Sequence, residues 1–301
     1  MSKNAFGMDI PEIRELLKDA QVRVYATRTL CSILDTLGIR DESISERAIE
    51  LASSYTDLSS YEREAHGLLA ENDVIQERIS QALRGRAEQI LSQIRGYLQG
   101  ETVLELGCGD GKVGERISKE GFDVTLADIY EHPHASKTGL DFILFGQKDK
   151  LRIGKFDTTL LLTVLHHSSY PMLTLQNAID STRKGGRVIV IESVYGIGKP
   201  TRELCSAGRS GEITEKFKLL PPGKQMMANM FLDHFYNRVI YYSEDPAKKV
   251  NIPFNFRRPE GPGSWEEIFR QHGLKSLAVR YLGIDHSTVP EYHTLHVLEV
   301  I

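Results

Sequence analysis

The sequence predicts an α/β fold in which a mostly parallel sheet carries helices on both faces. From residue 102 onward, short apolar runs alternate with helical patterns, as they do in chains built from βαβ units. One of these runs, Val103 to Leu106, leads directly into a glycine-rich turn and a helix start at Lys112. A strand, a turn and a helix in this order predict a parallel-sheet unit with a ligand site at the turn.

The other elements of the sheet follow from the same alternation. Strands are predicted over 102–106, 123–127, 141–145, 157–163 and 187–193, and two later strand-like runs cover 274–281 and 294–301. Connecting helices are predicted over 112–119, 131–137 (short or irregular) and 172–183. The Gly185-Gly186 pair is interpreted as the turn that leads into the fifth strand.

The first hundred residues have a helical pattern almost throughout. Ser43 and Glu46 have the spacing of a capping box and are predicted to open a helix. Further helices are predicted over 59–83 and 86–99. We expect residues 1–100 to form either a cap over an active site or a dimerisation surface. The alternative, that these helices only stabilise the sheet, stays open.

Residues 101–301 are predicted to form the ligand-binding domain, with an insertion at 194–263. The insertion contains a predicted helix over 224–242 that is rich in methionine and aromatic side chains. We interpret it as a substrate lid, because ligands of open α/β sheets bind beyond the carboxyl ends of the strands. Ordinary core packing explains the same apolar stripe and remains the alternative. Ser264 is predicted to cap a following helix at 265–272.

Composition limits the classes of partner. The chain has 301 residues, a net charge of −4 and a pI near 6.2, values that disfavour broad binding to nucleic acid. Its three cysteines have no zinc or disulfide spacing. With no signal-peptide pattern and no apolar run near the length of a membrane span, we expect a cytoplasmic protein without a membrane segment.

The glycine-rich turn carries the strongest functional signal. Its glycines, at positions 107, 109 and 111, recur at every second residue and so differ from the G-x-G-x-x-G of dinucleotide sites. Glu105 precedes them inside an apolar strand, and Asp128 ends the next strand about twenty residues after the turn. A buried acid needs hydrogen bonds, and an acid at the second strand end can hold ribose hydroxyls.

This motif resembles the first motif of the class I S-adenosylmethionine-dependent methyltransferases. The His166-His167 pair and the later Lys-Gly-Gly-Arg strand are similar to small-molecule methyltransferases of the quinone- and sterol-modifying group, over residues 101 to about 195. The resemblance implies a Rossmann-like sheet of seven strands, the last antiparallel, with S-adenosylmethionine as cofactor. The cofactor-binding residues that we expect are Glu105, Gly107, Cys108, Gly109, Gly111, Asp128, Ile129, Gln147 and Val164.

Candidate catalytic residues follow the fourth strand. His166 or His167 is positioned to act as a general base, although either could instead shape the loop. Tyr170 could position the substrate or cover the adenine. The residues expected to face the substrate are Glu192, His234, Tyr236, His286 and His293. No metal is expected, because residues 164–171 contain no acid and Glu192 stands alone.

The resulting hypothesis is an S-adenosylmethionine-dependent methyltransferase that acts on a small or amphiphilic molecule, with a homodimer through the N-terminal helices as an option. Three alternatives stay open. The acceptor could be a protein side chain or RNA; the chain could be a non-catalytic relative that works as a partner protein; or the cofactor could donate a group other than methyl.

Overall fold

The computed structural model describes residues 10–36, 41–54, 58–70, 73–197, 216–235, 239, 255–283 and 292–301. The chain divides into two compact units. The unit that we call the helical unit comprises 1–86, 194–254 and 282–292, and the sheet unit comprises 87–193, 255–281 and 293–301. The cap, lid and dimerisation roles expected for residues 1–100 and 194–263 stay predictions.

The sheet unit is built on seven strands. They are β1 (Thr102–Leu106), β2 (Asp123–Asp128), β3 (Asp141–Leu144), β4 (Phe156–Leu162), β5 (Thr182–Ser193), β6 (Leu274–Gly283) and β7 (His293–Val300). Their order across the sheet is β3-β2-β1-β4-β5-β7-β6. Strands β1 to β5 pair in parallel, and β7 runs antiparallel to β5. The predicted sheet of seven strands with an antiparallel last strand is confirmed.

The described helices connect and flank these strands. They are α1 (Ile10–Leu17), α2 (Ala20–Thr36), α3 (Glu42–Ser54), α4 (Leu58–Ala70), α5 (Asp73–Ile94), α6 (Lys112–Ser118), α7 (Pro171–Ser181), α8 (Pro222–Phe235) and α9 (Trp265–Gln271). Ser264 accepts a hydrogen bond from the Glu267 amide through its side chain, so the predicted cap of α9 is confirmed. Among the described residues, no helix is both long and apolar enough to cross a membrane.

The core of the sheet unit lies along β4 and β5. Residues 160–162 and 188–191 form nearly continuous buried apolar runs, as expected for strands that are covered on both faces. At the amino edge of the sheet, the Asp157 carboxylate accepts hydrogen bonds from the amides of Glu101 and Thr102, each at 3.0 Å. These bonds hold the start of β1 beside β4, and they lie opposite the edge that carries the glycine-rich turn.

Within the helical unit, segments that are distant in sequence pack together. Tyr25 of α2 lies 5.6 Å from Phe217 between ring centroids, and the Lys224 ammonium of α8 pairs with Asp19. Glu62 of α4 and His234 of α8 form a buried pair at 3.3 Å. The described part of the insertion at 194–263 that belongs to this unit therefore packs against the first helices of the chain.

Several predicted element boundaries are wrong. The helix expected over 172–183 ends at Ser181, and β5 begins at Thr182, because the Thr182 hydroxyl bonds to the Thr159 hydroxyl of β4 at 2.8 Å. Gly185 therefore lies inside a strand. The predicted helices 59–83 and 86–99 are replaced by α4 and α5, and α5 continues through the expected break.

The predicted cap of the helix near residue 43 is also wrong. Asp41, not Ser43, supplies the cap of α3, because its carboxylate accepts the Ser43 amide proton at 2.9 Å. The helix predicted over 131–137 is reduced to a 3-10 turn at Ala135–Lys137. Of the helix predicted over 224–242, α8 ends at Phe235; Val239 apart, the remaining positions lie outside the described residues.

Candidate cofactor and active site

The glycine-rich turn after β1 has the conformation that its sequence predicts. Gly107, Gly109 and Gly111 have φ angles of +77°, +53° and +71°, which side chains with a Cβ rarely adopt. The amides of Gly107 and Cys108 both bond to the Ala127 carbonyl, at 2.7 and 3.2 Å, and so attach the turn to the end of β2. The turn leaves the backbone uncovered by side chains at three alternate positions.

Asp128, the last residue of β2, contacts this turn directly. One carboxylate oxygen accepts the Gly109 amide proton at 2.8 Å, and the other accepts the Ile129 and Tyr130 amide protons at 2.6 and 3.3 Å. Burial raises the pKa of Asp128 to about 6, although these backbone bonds oppose the shift. Oδ2 accepts only the Gly109 bond among these three, so it keeps a lone pair that can accept a bond from a ligand.

Glu105 stabilises the helix that follows the turn. Its side chain is 3% exposed, and one oxygen accepts the Gly114 amide proton of α6 at 2.8 Å. A Cβ at Gly114 would lie 2.7 Å from that oxygen, so glycine is needed for the approach. The prediction that this buried acid would be hydrogen-bonded is confirmed. Its contact with a cofactor stays a prediction, and the bond to Gly114 gives it a positioning role for α6.

The other residues that were predicted to bind the cofactor differ in burial and in their contacts with the turn. Cys108 is 6% exposed, and burial raises the pKa of its thiol above the usual range, so it is suited to packing and not to nucleophilic attack. Ile129 is half-buried directly after Asp128. Val164 packs against the turn, since a Cβ at Gly107 would lie 2.6 Å from its Cγ1. Gln147 is half-buried in the loop after β3.

A buried carboxylate organises the chain after β4. Glu192 of β5 is 0% exposed, and it accepts hydrogen bonds from the amides of Val164, Leu165 and His166 at 3.1, 2.6 and 3.2 Å. The same carboxylate lies 2.5 Å from Nδ1 of His166. Burial raises the pKa of Glu192 to about 8. Glu192, expected to face the substrate, therefore forms these four hydrogen bonds with the loop that carries His166.

His166 is held from several sides. Its side chain is 1% exposed and stacks on Phe256, with ring centroids 5.2 Å apart. The His166 carbonyl accepts the Asn255 amide proton at 2.6 Å, and the Asn255 side chain donates to the Ser168 carbonyl at 2.6 Å. The ring of His167 lies 3.9 Å from that of His166, between centroids, and is more exposed.

Thr163 marks strain at the junction between β4 and this loop. It is the one described residue other than glycine with a positive φ, at +61°. A β-branched residue in this region is uncommon and costs on the order of 1–3 kcal/mol, and such residues cluster at functional sites. The Thr163 amide donates to the Ile191 carbonyl of β5 at 2.7 Å, which helps to hold the conformation.

The other residues predicted to act in catalysis or to face the substrate do not all lie at this edge of the sheet. Tyr170 is 39% exposed, and the Lys148 ammonium lies 5.5 Å from its ring centroid. His293 begins β7, where its Nε2 lies 3.1 Å from the Ser193 hydroxyl; because β7 is antiparallel, it shares the carboxyl edge of β5. His234 belongs to the helical unit and pairs with Glu62. Tyr236 and His286 lie outside the described residues.

Sequence reasoning missed three residues of this loop region: Thr163, Asn255 and Phe256. None is part of a local motif. Asn255 acts on Ser168 from 87 positions away, and Thr163 is unusual only in its backbone angle.

The carboxyl edge of the sheet therefore combines two arrangements. One is a glycine turn beside a carboxylate with raised pKa, which suits a polar ligand with hydroxyl donors. The other is a histidine that is fixed by a buried carboxylate, which can hold or move a proton near neutral pH. Both lie in the sheet unit, at the ends of neighbouring strands.

Comparison with known proteins agrees with this arrangement. The profile of a family described as "Methyltransferase domain" matches residues 75–239. The chain is 30% identical over 109 residues to a ubiquinone biosynthesis O-methyltransferase of Shewanella halifaxensis, covering 33% of this chain and 46% of that protein. It is 28% identical over 131 residues to a tRNA U34 carboxymethyltransferase of Alteromonas mediterranea, covering 38% of this chain and 39% of that protein.

Solved structures with a similar arrangement share little sequence. A possible histamine N-methyltransferase of Thermotoga maritima aligns with a TM-score of 0.48 at 15% identity, over 75% of this chain and 94% of that one. A magnesium protoporphyrin IX methyltransferase of Synechocystis aligns with a TM-score of 0.44 at 14% identity, over 76% and 87%. The matches to the two curated relatives above span less than half of those proteins' own length.

Proposed function

The chain belongs to the methyltransferase domain family that matches its residues 75–239, and we propose that it is an S-adenosylmethionine-dependent methyltransferase acting on a small or amphiphilic molecule. One observation carries the proposal: at the carboxyl edge of β1 and β2, three positive-φ glycines adjoin the Asp128 carboxylate. That pair of features is what a nucleoside-bearing cofactor requires.

The residues present fit the cofactor. Asp128 can accept a hydroxyl proton of a ribose, since its Oδ2 keeps a lone pair beyond the bond from the Gly109 amide. The glycine turn lets the amino-acid portion approach the backbone closely. Half-buried Ile129 offers an apolar contact for the adenine, and Val164 limits the site beside Gly107. Glu105 holds the first turn of α6 behind the site.

S-adenosylmethionine supplies, when bound, a methyl group that its positively charged sulfur has already activated. The protein's task is then to align the acceptor and to exclude water. Alignment alone can contribute on the order of 7–11 kcal/mol to lowering a barrier. His166 or His167 would accept a proton from an acceptor that must lose one, because an imidazole takes up protons near neutral pH.

The acceptor class is supported by charge and by the relatives. A net charge of −4 disfavours a broad polyanion surface. The curated relative from Shewanella halifaxensis is named as an O-methyltransferase of ubiquinone biosynthesis. The charge therefore argues against a polyanionic acceptor, and the name of this relative supports an oxygen acceptor on a small amphiphilic molecule.

A second candidate is transfer to RNA. It is favoured by the similarity to a tRNA U34 carboxymethyltransferase over 131 residues. In this case the transferred group need not be methyl. An enzyme of this kind would bind RNA with an affinity that falls with salt concentration, which a small-molecule enzyme would not do.

The test is a transfer assay with S-adenosylmethionine that is tritiated in the methyl group. Purified protein is incubated separately with a panel of phenolic and quinol-type molecules and with bulk tRNA. We expect label in an organic-soluble product, and loss of labelling in Asp128→Ala but not in the matched cap variant Ser264→Ala. Label in tRNA would support the second candidate, and no label in any fraction from folded protein would contradict the proposed function.

A further inference from the structure

We infer that Glu192 is a positioning residue of this site, which fixes the main chain after β4 and places a proton on Nδ1 of His166. The inference rests on the proposed function for its catalytic meaning. It deepens that function by identifying the group that would make Nε2 of His166 the proton-accepting atom.

The geometry converges on one carboxylate. Three consecutive amides, those of Val164, Leu165 and His166, all donate to Glu192 at 2.6–3.2 Å. Successive amides that point at one group form a concave anion site. The carboxylate is completely buried near the carboxyl end of β5, a strand that pairs with both β4 and β7. A residue with these contacts determines the path of the loop.

The fourth contact selects a tautomer. Nδ1 of His166 lies 2.5 Å from the Glu192 oxygen that also accepts the His166 amide. Above the pKa of about 8 that burial gives Glu192, its carboxylate is ionised and only accepts hydrogen bonds, so Nδ1 carries the proton and the neutral ring has its acceptor lone pair on Nε2. The stack on Phe256, 5.2 Å between centroids, further restricts the ring plane.

The same carboxylate acts on the cofactor side of the loop. Val164 accounts for the closest contacts that a Cβ at Gly107 would meet, and its amide is one of the three bound by Glu192. Thr163, just before it, is held at φ +61°. Glu192 thus connects the wall of the glycine turn to the ring of His166, across 26 to 28 positions of sequence.

A second carboxylate, Asp157, serves as a control that separates the positioning role of Glu192 from simple stabilisation of the fold. Asp157 also accepts two backbone amides, but at the amino edge of the sheet. The variants Glu192→Gln and Asp157→Asn each replace one acceptor oxygen of the carboxylate by an NH2 donor, which then faces backbone N–H donors in both proteins. Only the first change concerns His166 and Val164.

The experiment uses ¹⁵N-histidine-labelled full-length protein at pH 9, above the pKa of about 8 for Glu192. His166 is assigned with a His166→Gln variant. We expect Nδ1 to be protonated in the wild type and in Asp157→Asn, and Nε2 to be protonated in Glu192→Gln. Titration with S-adenosylhomocysteine should show about tenfold weaker binding in Glu192→Gln, the loss expected when one charge-assisted hydrogen bond is removed.

Three results would overturn the inference. These are a wild-type ring protonated on Nε2 at pH 9, an unchanged tautomer in folded Glu192→Gln, or equal weakening of ligand binding in Asp157→Asn. The first needs no variant, so it decides the question even when Glu192→Gln does not fold. Absence of S-adenosylhomocysteine binding by the wild type would count against the proposed function instead, since the tautomer is measured without a ligand.

Discussion

The contact between the glycine turn and the β4 loop predicts a specific cost for a single added methyl group. In Gly107→Ala, the new Cβ would lie 2.6 and 2.7 Å from the two Cγ atoms of Val164, at a φ of +77°. The left-handed backbone costs an alanine about 1–2 kcal/mol, and overpacking costs about 1–3 kcal/mol. We therefore expect the free energy of unfolding to fall by about 2–5 kcal/mol.

Two variants separate these contributions. Gly121 has a φ of +98° and open space at its Cβ position, so Gly121→Ala measures the backbone cost alone. In the double variant Gly107→Ala with Val164→Ala, both Cγ atoms are gone and only the Val164 Cβ contact, 3.2 Å, remains. We expect the double variant to recover most of the steric part, with a coupling energy of about 1–3 kcal/mol.

The assay is urea unfolding followed by tryptophan fluorescence. Trp265 is the single tryptophan of the chain and is fully buried in α9 of the sheet unit, so its signal reports on the unit that carries the mutations. The reasoning is refuted if Gly107→Ala is no less stable than Gly121→Ala, or if Val164→Ala gives no recovery.

Three further predictions concern other groups of the sheet unit. Burial raises the pKa of Asp128 from 3.8 to about 6, so between these pH values the folded state binds a proton that the unfolded state has lost, and the free energy of unfolding measured in urea should fall as pH rises. Asp128→Asn should remove this pH dependence, whereas a well-solvated carboxylate would give the wild type no such dependence to remove. Backbone bonds from Thr102 and Glu101 lower the pKa of Asp157, so its contribution to the free energy of unfolding is present at neutral pH and lost in acid. Asp157→Asn should lower the free energy of unfolding by about 1–3 kcal/mol at pH 7 and by less in acid, and an equal loss at both pH values would contradict this. Ser264→Ala should lower stability by about 1 kcal/mol and leave S-adenosylhomocysteine affinity unchanged; a change in affinity measured by calorimetry would link α9 to the site.

The sequence allowed the glycine turn, Asp128 and most strands of the sheet to be predicted, because their signals are local or follow from the alternation of strands and helices. Glycines at alternate positions indicate a turn with positive φ angles, and an acid at the end of the next parallel strand must lie beside that turn. The family resemblance drawn from these residues is confirmed by the match over 75–239.

The loop after β4 could not be predicted in the same way. Glu192 binds amides 26 to 28 positions earlier, and Asn255 binds a carbonyl 87 positions away. Side-chain bonds to backbone groups leave no periodic trace, because any residue can offer an amide or a carbonyl. Glu192 is polar in an apolar strand, which indicated importance but suggested contact with substrate instead of with the loop.

The errors in element boundaries have a related cause. At the start of β5, Thr182 forms a hydroxyl–hydroxyl bond with Thr159, and α3 begins at a cap two residues earlier than the best sequence match. The helical unit joins residues near 25 with residues near 217, a contact that depends on tertiary packing alone. Helical periodicity identified the helices but not their partners.

The central claim is that the edge between β1 and β2 binds S-adenosylmethionine. Calorimetric titration of the full chain with S-adenosylmethionine and S-adenosylhomocysteine tests it most directly, beside Asp128→Ala and Gly109→Arg at the site and Asp157→Asn at the opposite edge. We expect binding by the wild type and by Asp157→Asn, and at least tenfold weaker binding in the two site variants. Folded wild-type protein that binds neither compound, or site variants that bind as well as Asp157→Asn, would contradict it.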